Sequence, residues 1–254
     1  MMKNYVEIES QEALRAVVER HYTLRHYAFQ RVDFSAEPLS EECEFEDCIF
    51  MGCVMPLSMQ KRLSPTCYLF PSMQKPYMLF PPALYSAATL YRGYDPADEE
   101  SFKMCYDTRV YNHYVASGKQ ARDIGETLAR SLHDHSISDA LHDLLSRYDE
   151  RAVVAVMGGH ALSREDQGYT EVARPAKMPT EQGKLMVSGG GPGAMEATHL
   201  GAWMAGRTDE ELREAIGTLS AAPRFEDRGW LALSFEVMRR YPRDERYCSI
   251  GIPT

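Results

Sequence analysis

Two short apolar runs with a helical pattern between them dominate the hydrophobic profile of the chain. Ala152-Val-Val-Ala-Val-Met157 is apolar throughout and rich in β-branched residues, which predicts a strand buried on both faces. Leu185-Met186-Val187 has the same character. Between them Tyr169, Val172, Ala173 and Ala176 recur at helical spacing, which predicts a helix over 167–182. Pro175 and Pro179 lie inside that pattern, so the helix is expected to kink, shorten or break. Strand, crossover and strand in about 35 residues predict a parallel βαβ unit with a right-handed crossover. Helical patterns follow over 194–205 and, from the capping box at Thr208-Asp-Glu-Glu211, through Leu219. Trp230, Leu233, Phe235 and Val237 predict a further helix over 227–240, and Tyr247–Ile252 reads as a third strand.

The first half of the chain is patterned differently. Ala13, Leu14, Val17 and Val18 predict a helix within 9–22. Cys43, Cys48 and Cys53 then recur every five residues, with Phe45, Phe50 and Met55 two positions after each. Phe29, Phe34 and Leu39 carry the same rhythm one residue out of phase. A period of five fits neither helix nor strand; over 43–55 it resembles the pentapeptide-repeat β-helix, and its extent implies a β-helix-like fragment or cap. The C-x4-C-x4-C spacing is not a usual zinc spacing, which favours packed core thiols over a metal site. Six prolines between Pro56 and Pro82 predict an irregular or short-strand region whose aromatics are buried contacts. A helix is expected from Asp95 to about Ser117, closed by Gly118, and two more over 119–133 and 137–148. His133, His135, Asp139 and His142 invite a metal site or a ligand-contacting loop. Against this, His133 and His135 would lie about 200° apart on a helix. Ser136 or Ser138 could equally be an N-cap among polar loop residues. These patterns divide the chain into an N-terminal region over 1–118 and an α/β domain with leading helices over 119–254.

Composition narrows the partners. With 254 residues, 44% hydrophobic and 26% charged, the chain has the make-up of an ordinary globular protein. A net charge of −9 without a dense Lys/Arg cluster disfavours nucleic acid. No apolar run reaches the roughly 18–20 residues of a membrane span, and the first residues lack a signal-peptide core. Six cysteines without a C-x-x-C pair suggest reduced thiols and a cytoplasmic protein without a membrane partner.

The candidate chemistry lies where the two apolar runs end. Gly158-Gly159-His160 follows the first, and Ser188-Gly189-Gly190-Gly191-Pro192-Gly193-Ala194-Met195-Glu196 follows the second. Glycines let backbone N–H groups approach a phosphate, and the unpaired N–H groups of a helix's first turn attract anions. In a parallel sheet such turns lie side by side at the strand carboxyl ends, where ligands bind. Gly189-x-Gly191-x-x-Ala194 also satisfies the dinucleotide pattern formally. The acid expected about 20 residues on, at a strand end, is replaced by Asp209, Glu210 and Glu211 at a helix start, which argues against a nicotinamide dehydrogenase.

The run Gly189-Gly-Gly-Pro-Gly-Ala-Met-Glu196-Ala, followed by Gly201-Ala, resembles the LOG-like (Lonely Guy) family of Rossmann-type nucleotide-binding proteins, many of them mislabelled as lysine decarboxylases. The resemblance covers about residues 151–254, and residues 1–150 look like the extension of a longer bacterial branch. It implies a Rossmann-like parallel sheet, incomplete at about three strands. Gly158, Gly159, His160 and Arg164 would then lie at the ligand. Ser188, Gly189, Gly190, Gly191, Gly193 and Ala194 would cradle the phosphate, with Met195 and Glu196 beginning the helix beneath it. Family enzymes hydrolyse the N-glycosidic bond of nucleoside 5′-monophosphates with a glutamate from a proline-glycine-glycine-x-glycine-threonine-x-x-glutamate motif. That motif is absent here, and neither Arg164 nor Glu196 matches a catalytic position. The expectation is therefore a nucleotide- or phosphoribosyl-binding module with no catalytic residue assigned and no cofactor or metal beyond a nucleoside monophosphate. The alternatives are a phosphoribohydrolase whose missing segment is supplied, or an interaction protein without ligand. The last strand leaves an open sheet edge, so either self-association through 247–252 or a further C-terminal segment is expected.

Overall fold

The computed structural model describes residues 5–37, 39–40 and 42–252. The chain divides into two units, Met1–Leu90 with Tyr106–His142, and Tyr91–Cys105 with Asp143–Thr254.

In the first unit the chain runs through β1 (Val6–Ile8), α1 (Gln11–Val18), β2 (Thr23–Arg25), β3 (Tyr27–Gln30), β4 (Glu44–Glu46) and β5 (Ile49–Met51). It continues through α2 (Leu57–Gln60), β6 (Tyr68–Phe70), α3 (Ala87–Leu90), α4 (Tyr106–Ala116) and α5 (Ile124–Leu145). All strand pairs are parallel: β1-β3-β5-β6 form one sheet and β2-β4 another. Val6 pairs with Tyr27, Thr23 with Glu44 and Ala28 with Ile49, each partner 21 residues further on. This register superposes the five-residue rhythm on itself. Phe29, Phe34, Phe45 and Phe50 meet with ring centroids 5.1–6.1 Å apart, all within 1% of full burial. The thiols of Cys48, Cys53 and Cys67 donate to the carbonyls of Leu24, Phe29 and Phe45 at 3.2–3.3 Å. Burial pushes Cys48 and Cys53 up to about 11, so these are inert core thiols. Helix α5 buries one narrow stripe, Glu126, Ala129, Leu132 and Ser136.

The second unit contains a 3-10 helix at Glu99–Met104, then β7 (Val153–Ala155), α6 (Gln167–Glu181), β8 (Leu185–Gly189), α7 (Ala194–Trp203), α8 (Asp209–Leu219), α9 (Trp230–Arg240) and β9 (Ser249–Ile252). This is an α/β arrangement consistent with a Rossmann-like fold. The three strands are parallel in the order β7-β8-β9, with Val154 opposite Met186 and Val187 opposite Ile250. Val154, Val156 and Met186 pack with Ala176 of α6 and Ala202 of α7. Small residues let those helices close together: a Cβ on Gly201 would fall on the Ala173 carbonyl, whose carbon lies 2.9 Å from that position. Beyond them, Tyr169, Ala197, Leu200, Met204, Leu212, Ile216 and Val237 join α8 and α9 in a second core. The capping box forms as expected, with Thr208 Oγ1 accepting from Glu211 N and the Glu211 carboxylate accepting from Thr208 N.

Several expectations are corrected. The helix placed from Asp95 to Ser117 is a 3-10 helix and then α4, because Cys105 leaves helical space at φ −58°, ψ 152°. The two helices over 119–133 and 137–148 are one, α5. Ser136 is no cap: its hydroxyl donates back to Leu132 O at 3.1 Å, satisfied inside the helix. Helix α6 runs unbroken through both prolines. Their missing donors would have served the carbonyls of Glu171 and Pro175, on the exposed side where water substitutes, while the buried side is held by Tyr169, Ala173, Ala176 and Thr180. Strand β7 is three residues long and lies at an edge, so Val153 and Val154 are half-buried and Ala155 is exposed. In the proline-rich stretch Tyr68 and Leu69 are exposed rather than buried contacts. No helix among the described residues is long and apolar enough to cross a membrane.

Candidate functional site

The two glycine turns do lie side by side. Because β7 and β8 are parallel neighbours, both chain reversals occur at the same end of the sheet. The Gly159 carbonyl accepts from Ala194 N–H at 3.1 Å and so ties the first turn to the start of α7. Gly193 is the N-cap of that helix at φ +75°, ψ −130°, a conformation that L side chains avoid. A Cβ there would lie 2.6 Å from Gly159 O and 2.9 Å from His160 C. A Cβ on Gly158 would fall on that of Ala194. The closeness of the two turns is therefore built on glycine at both.

Met195 accounts for two other glycines. Its thioether folds back over the turn, so that Cβ atoms on Gly189 or Gly191 would strike its Sδ or Cε. Gly159 differs, since a Cβ there meets nothing within 4 Å, and both Gly159 and Gly190 face solvent. His160 is exposed on the same turn. Ser188 is buried and its hydroxyl donates to Val156 O at 2.8 Å, fastening β8 to the end of β7 rather than facing a ligand. At the first turn of α7, Ala194 N–H is used by Gly159 and Ala197 N–H by Gly193 O at 2.9 Å. Among the described residues no backbone carbonyl accepts from Met195 or Glu196 N–H. These two donors stand at the positive end of the helix dipole.

Arg164 occupies a different place from the ligand-facing one the resemblance implies. It is 1% exposed inside the helical layer. Its Nε donates to Glu196 Oε1 and Oε2 at 3.1 and 3.2 Å, and Nη2 donates to Glu196 and to Ser234 Oγ. Nη1 donates to Ala222 O at 3.3 Å and Trp230 O at 3.1 Å, and the guanidinium lies 4.4 Å from the Trp230 ring centroid. A guanidinium so engaged has no donors to offer a ligand. Glu196 therefore stands at the helix start, where its charge complements the dipole, but is held from behind. Beside the pair the buried Tyr169 hydroxyl lacks a hydrogen-bond partner among the described residues, and burial raises its pKa well above the ordinary value.

His199, which sequence reasoning passed over, bridges the end of the sheet. Its ring nitrogens lie 3.0 Å from Gly189 O and 3.1 Å from Ser249 Oγ, joining β8, β9 and α7 beneath the turn. Burial lowers its pKa, which favours the neutral ring. The available signal was a polar ring in the helix segment Ala197–Ala202, whose other residues apart from Thr198 are apolar or glycine.

Of the histidine-rich stretch, His133 packs edge-on against Tyr77, a member of a polar cluster of the first unit centred on Glu126. Glu126, 4% exposed, accepts from Lys75 at 2.8 Å, Arg130 at 3.0 Å and Tyr77 at 3.2 Å, with His113 Nε2 at 3.2 Å. Burial pushes the carboxyl up, but Lys75, Arg130 and His113 outweigh it and bring it down to about 2. His133 contacts Tyr85 and Asp134, while His135 and His142 are exposed. No group of three or more His, Cys, Asp or Glu among the described residues is arranged to hold a metal ion.

No family model matches the chain, and neither a curated protein nor a solved structure matches it.

Proposed function

We propose that the second unit binds the phosphate of a nucleotide or phosphoribosyl ligand over the Gly158-Gly159 and Gly189–Gly193 turns, in the manner of a LOG-like Rossmann-type domain. The observation that carries this reading is the junction of two glycine turns at the ends of neighbouring parallel strands. It is locked by Ala194 N–H to Gly159 O and leaves Met195 and Glu196 N–H at a helix start. In this reading Gly159 and Gly190 leave room for the ligand, while Met195, Ser188 and His199 shape the turn from below. Arg164 positions Glu196 and touches no ligand. Glycosidic hydrolysis needs a carboxylate at the departing base to stabilise an oxocarbenium-like transition state. Glu196 is committed to Arg164, so binding without catalysis is the reading we adopt.

For the first unit we propose that the 21-residue parallel register and the stacked phenylalanines are coils of a β-helix. Six free thiols accord with a reducing, cytoplasmic setting.

Thermal-shift and calorimetric titrations with AMP, other nucleoside monophosphates, ribose 5-phosphate and NAD test the ligand. Saturable binding of the monophosphates, weakened by Gly159→Ala, is expected. Absence of a shift with every compound defeats the reading, a stronger response to NAD replaces it with a dinucleotide site, and release of free base from AMP restores catalysis.

A further inference from the structure

The parallel register of the first unit gives its cations acids, with one exception. His26, Arg31, Asp47 and Gly52 all turn the chain with positive φ, at 62°, 56°, 49° and 63°. The 21-residue register sets His26 beside Asp47 and Arg31 beside Gly52. In the same register Arg25 Nε donates to Glu46 at 2.8 Å, and His26 Nε2 lies 3.2 Å from the Asp47 carboxylate. At Arg31 the matching position has no side chain. A Cβ on Gly52 would lie 2.5 Å from the Phe80 ring, so Phe80 fills the place where an acid would stand.

Arg31 is thus left charged and unpaired. Its side chain makes no hydrogen bond or ion pair among the described residues, and its enclosed Nε has no partner. A guanidinium cannot escape this by losing its proton. The Cys53 thiol, which feels the Arg31 charge, is pushed by burial up to about 11 and stays neutral. Glu126 is already outnumbered by Lys75 and Arg130. Arg31 lines a cavity of about 250 Å³ together with Ser72, Met73, Tyr77, Met78 and Phe80. The Tyr77 hydroxyl is given to Glu126 and the Met78 N–H to the Tyr106 hydroxyl, so these two residues offer the cavity apolar surface. Ser72 is exposed at the rim, and its hydroxyl makes no hydrogen bond among the described residues. The cavity therefore combines a permanent cation and a hydroxyl with apolar walls, and no carboxylate lines it.

We propose that this cavity binds a small organic acid, its carboxylate paired with Arg31 and its apolar body against Met73, Met78 and Phe80. The acid supplies the counter-charge that Gly52 cannot. A planar guanidinium matches a carboxylate in shape as well as charge. The Ser72 hydroxyl adds a second donor at the rim. Sites for drug-sized ligands measure roughly 300–1,000 Å³, so this smaller cavity suits a short acyl chain or a single ring. The apolar walls favour a carboxylic acid over inorganic phosphate, whose further oxygens would face Met73, Met78 and Phe80 without donors. The site lies within the first unit and does not rest on the phosphate reading of the second.

Calorimetric titration of the full chain with benzoate, hexanoate, their neutral amides, acetate and inorganic phosphate tests the site. Saturable binding of benzoate or hexanoate is expected, with the matching amide about tenfold weaker or more, and acetate weaker for want of an apolar body. Arg31→Gln should weaken the acid about tenfold and leave the amide unchanged. Arg31→Gly should show the same loss in a folded chain, because glycine accepts φ +56° and repeats what Gly52 does at the matching position. Ser72→Trp at the rim should obstruct acid and amide alike. The proposal is overturned if no carboxylate binds at about 10 mM, or if the acids bind no better than their amides. It is equally overturned if binding survives both Arg31 variants, or if phosphate binds more tightly than either acid. AMP titrated against Arg31→Gly should behave as with the wild type; a loss there would make this cavity a nucleotide site and defeat the organic-acid assignment.

Discussion

Arg164 and Glu196 are 32 positions apart in sequence and form one buried ion pair, with Arg164 Nε within 3.2 Å of both carboxylate oxygens. The arginine side chain is fully enclosed and the glutamate 18% exposed, so the pair is dry on one side and wet on the other. It ties the loop before α6 to the first turn of α7, and through Ala222, Trp230 and Ser234 to the elements that follow.

Removing one member of such a pair leaves a buried charge unpaired. Arg164→Met should cost about 3–5 kcal/mol in urea unfolding. Arg164→Lys should rescue little, since an ammonium lacks the fork that reaches Glu196, Ser234 and the carbonyls together. The double variant Arg164→Met/Glu196→Leu should recover much of the loss. If the single and double variants unfold alike, the pair is not what holds these elements.

Gly193 and Gly159 should separate folding from binding. Gly193→Ala combines φ +75° with a Cβ 2.6 Å from Gly159 O, and should lose about 1–3 kcal/mol together with ligand affinity. Gly159→Ala meets open space and should shift stability by no more than about 0.5 kcal/mol while still reducing affinity. Thermal melts with and without AMP read both quantities.

Acid should weaken the first unit through Glu126. Its carboxyl is held down to about 2 in the fold against 4.5 for a free glutamate, so the unfolded chain binds the proton more readily. The stabilisation is complete above about pH 4.5 and is lost as pH falls toward 2. It amounts to about 2 kcal/mol once the partly exposed Arg130 and His113 are discounted for screening. Glu126→Gln should flatten the pH dependence of unfolding over that window and lower stability at neutral pH, where Lys75 and Arg130 lose their counter-charge. An unchanged slope between pH 5 and 2 would contradict this assignment.

The phenylalanine stack gives a packing test. Phe45 is 1% exposed and touches Phe29, Phe34 and Phe50, so Phe45→Ala should cost about 3–5 kcal/mol. Phe45→Leu should cost clearly less. Equal losses would mean that the rings matter for shape rather than buried volume.

The sequence by itself determined what depends on neighbours along the chain. Apolar runs, a helical period and a capping box are local, so β8, α7, α8 and the parallel pairing of β7 with β8 were legible, as was the meeting of the two glycine turns. The five-residue rhythm marked Phe29, Phe34, Phe45, Phe50 and Cys48 as inward residues, because side chains 21 residues apart repeat the same environment. Tertiary structure decided what local patterns leave open. Packing against α7 kept α6 continuous through Pro175 and Pro179, since the lost bonds fall on its wet side. Strand order put β7 at an edge, so an all-apolar run became a half-exposed one. Burial made Arg164, expected at a ligand, a strut between helices, and made His199 a brace beneath the glycine turn. A side chain's charge and shape are written in the sequence, but which partners use up its hydrogen bonds is fixed only when distant segments close around it.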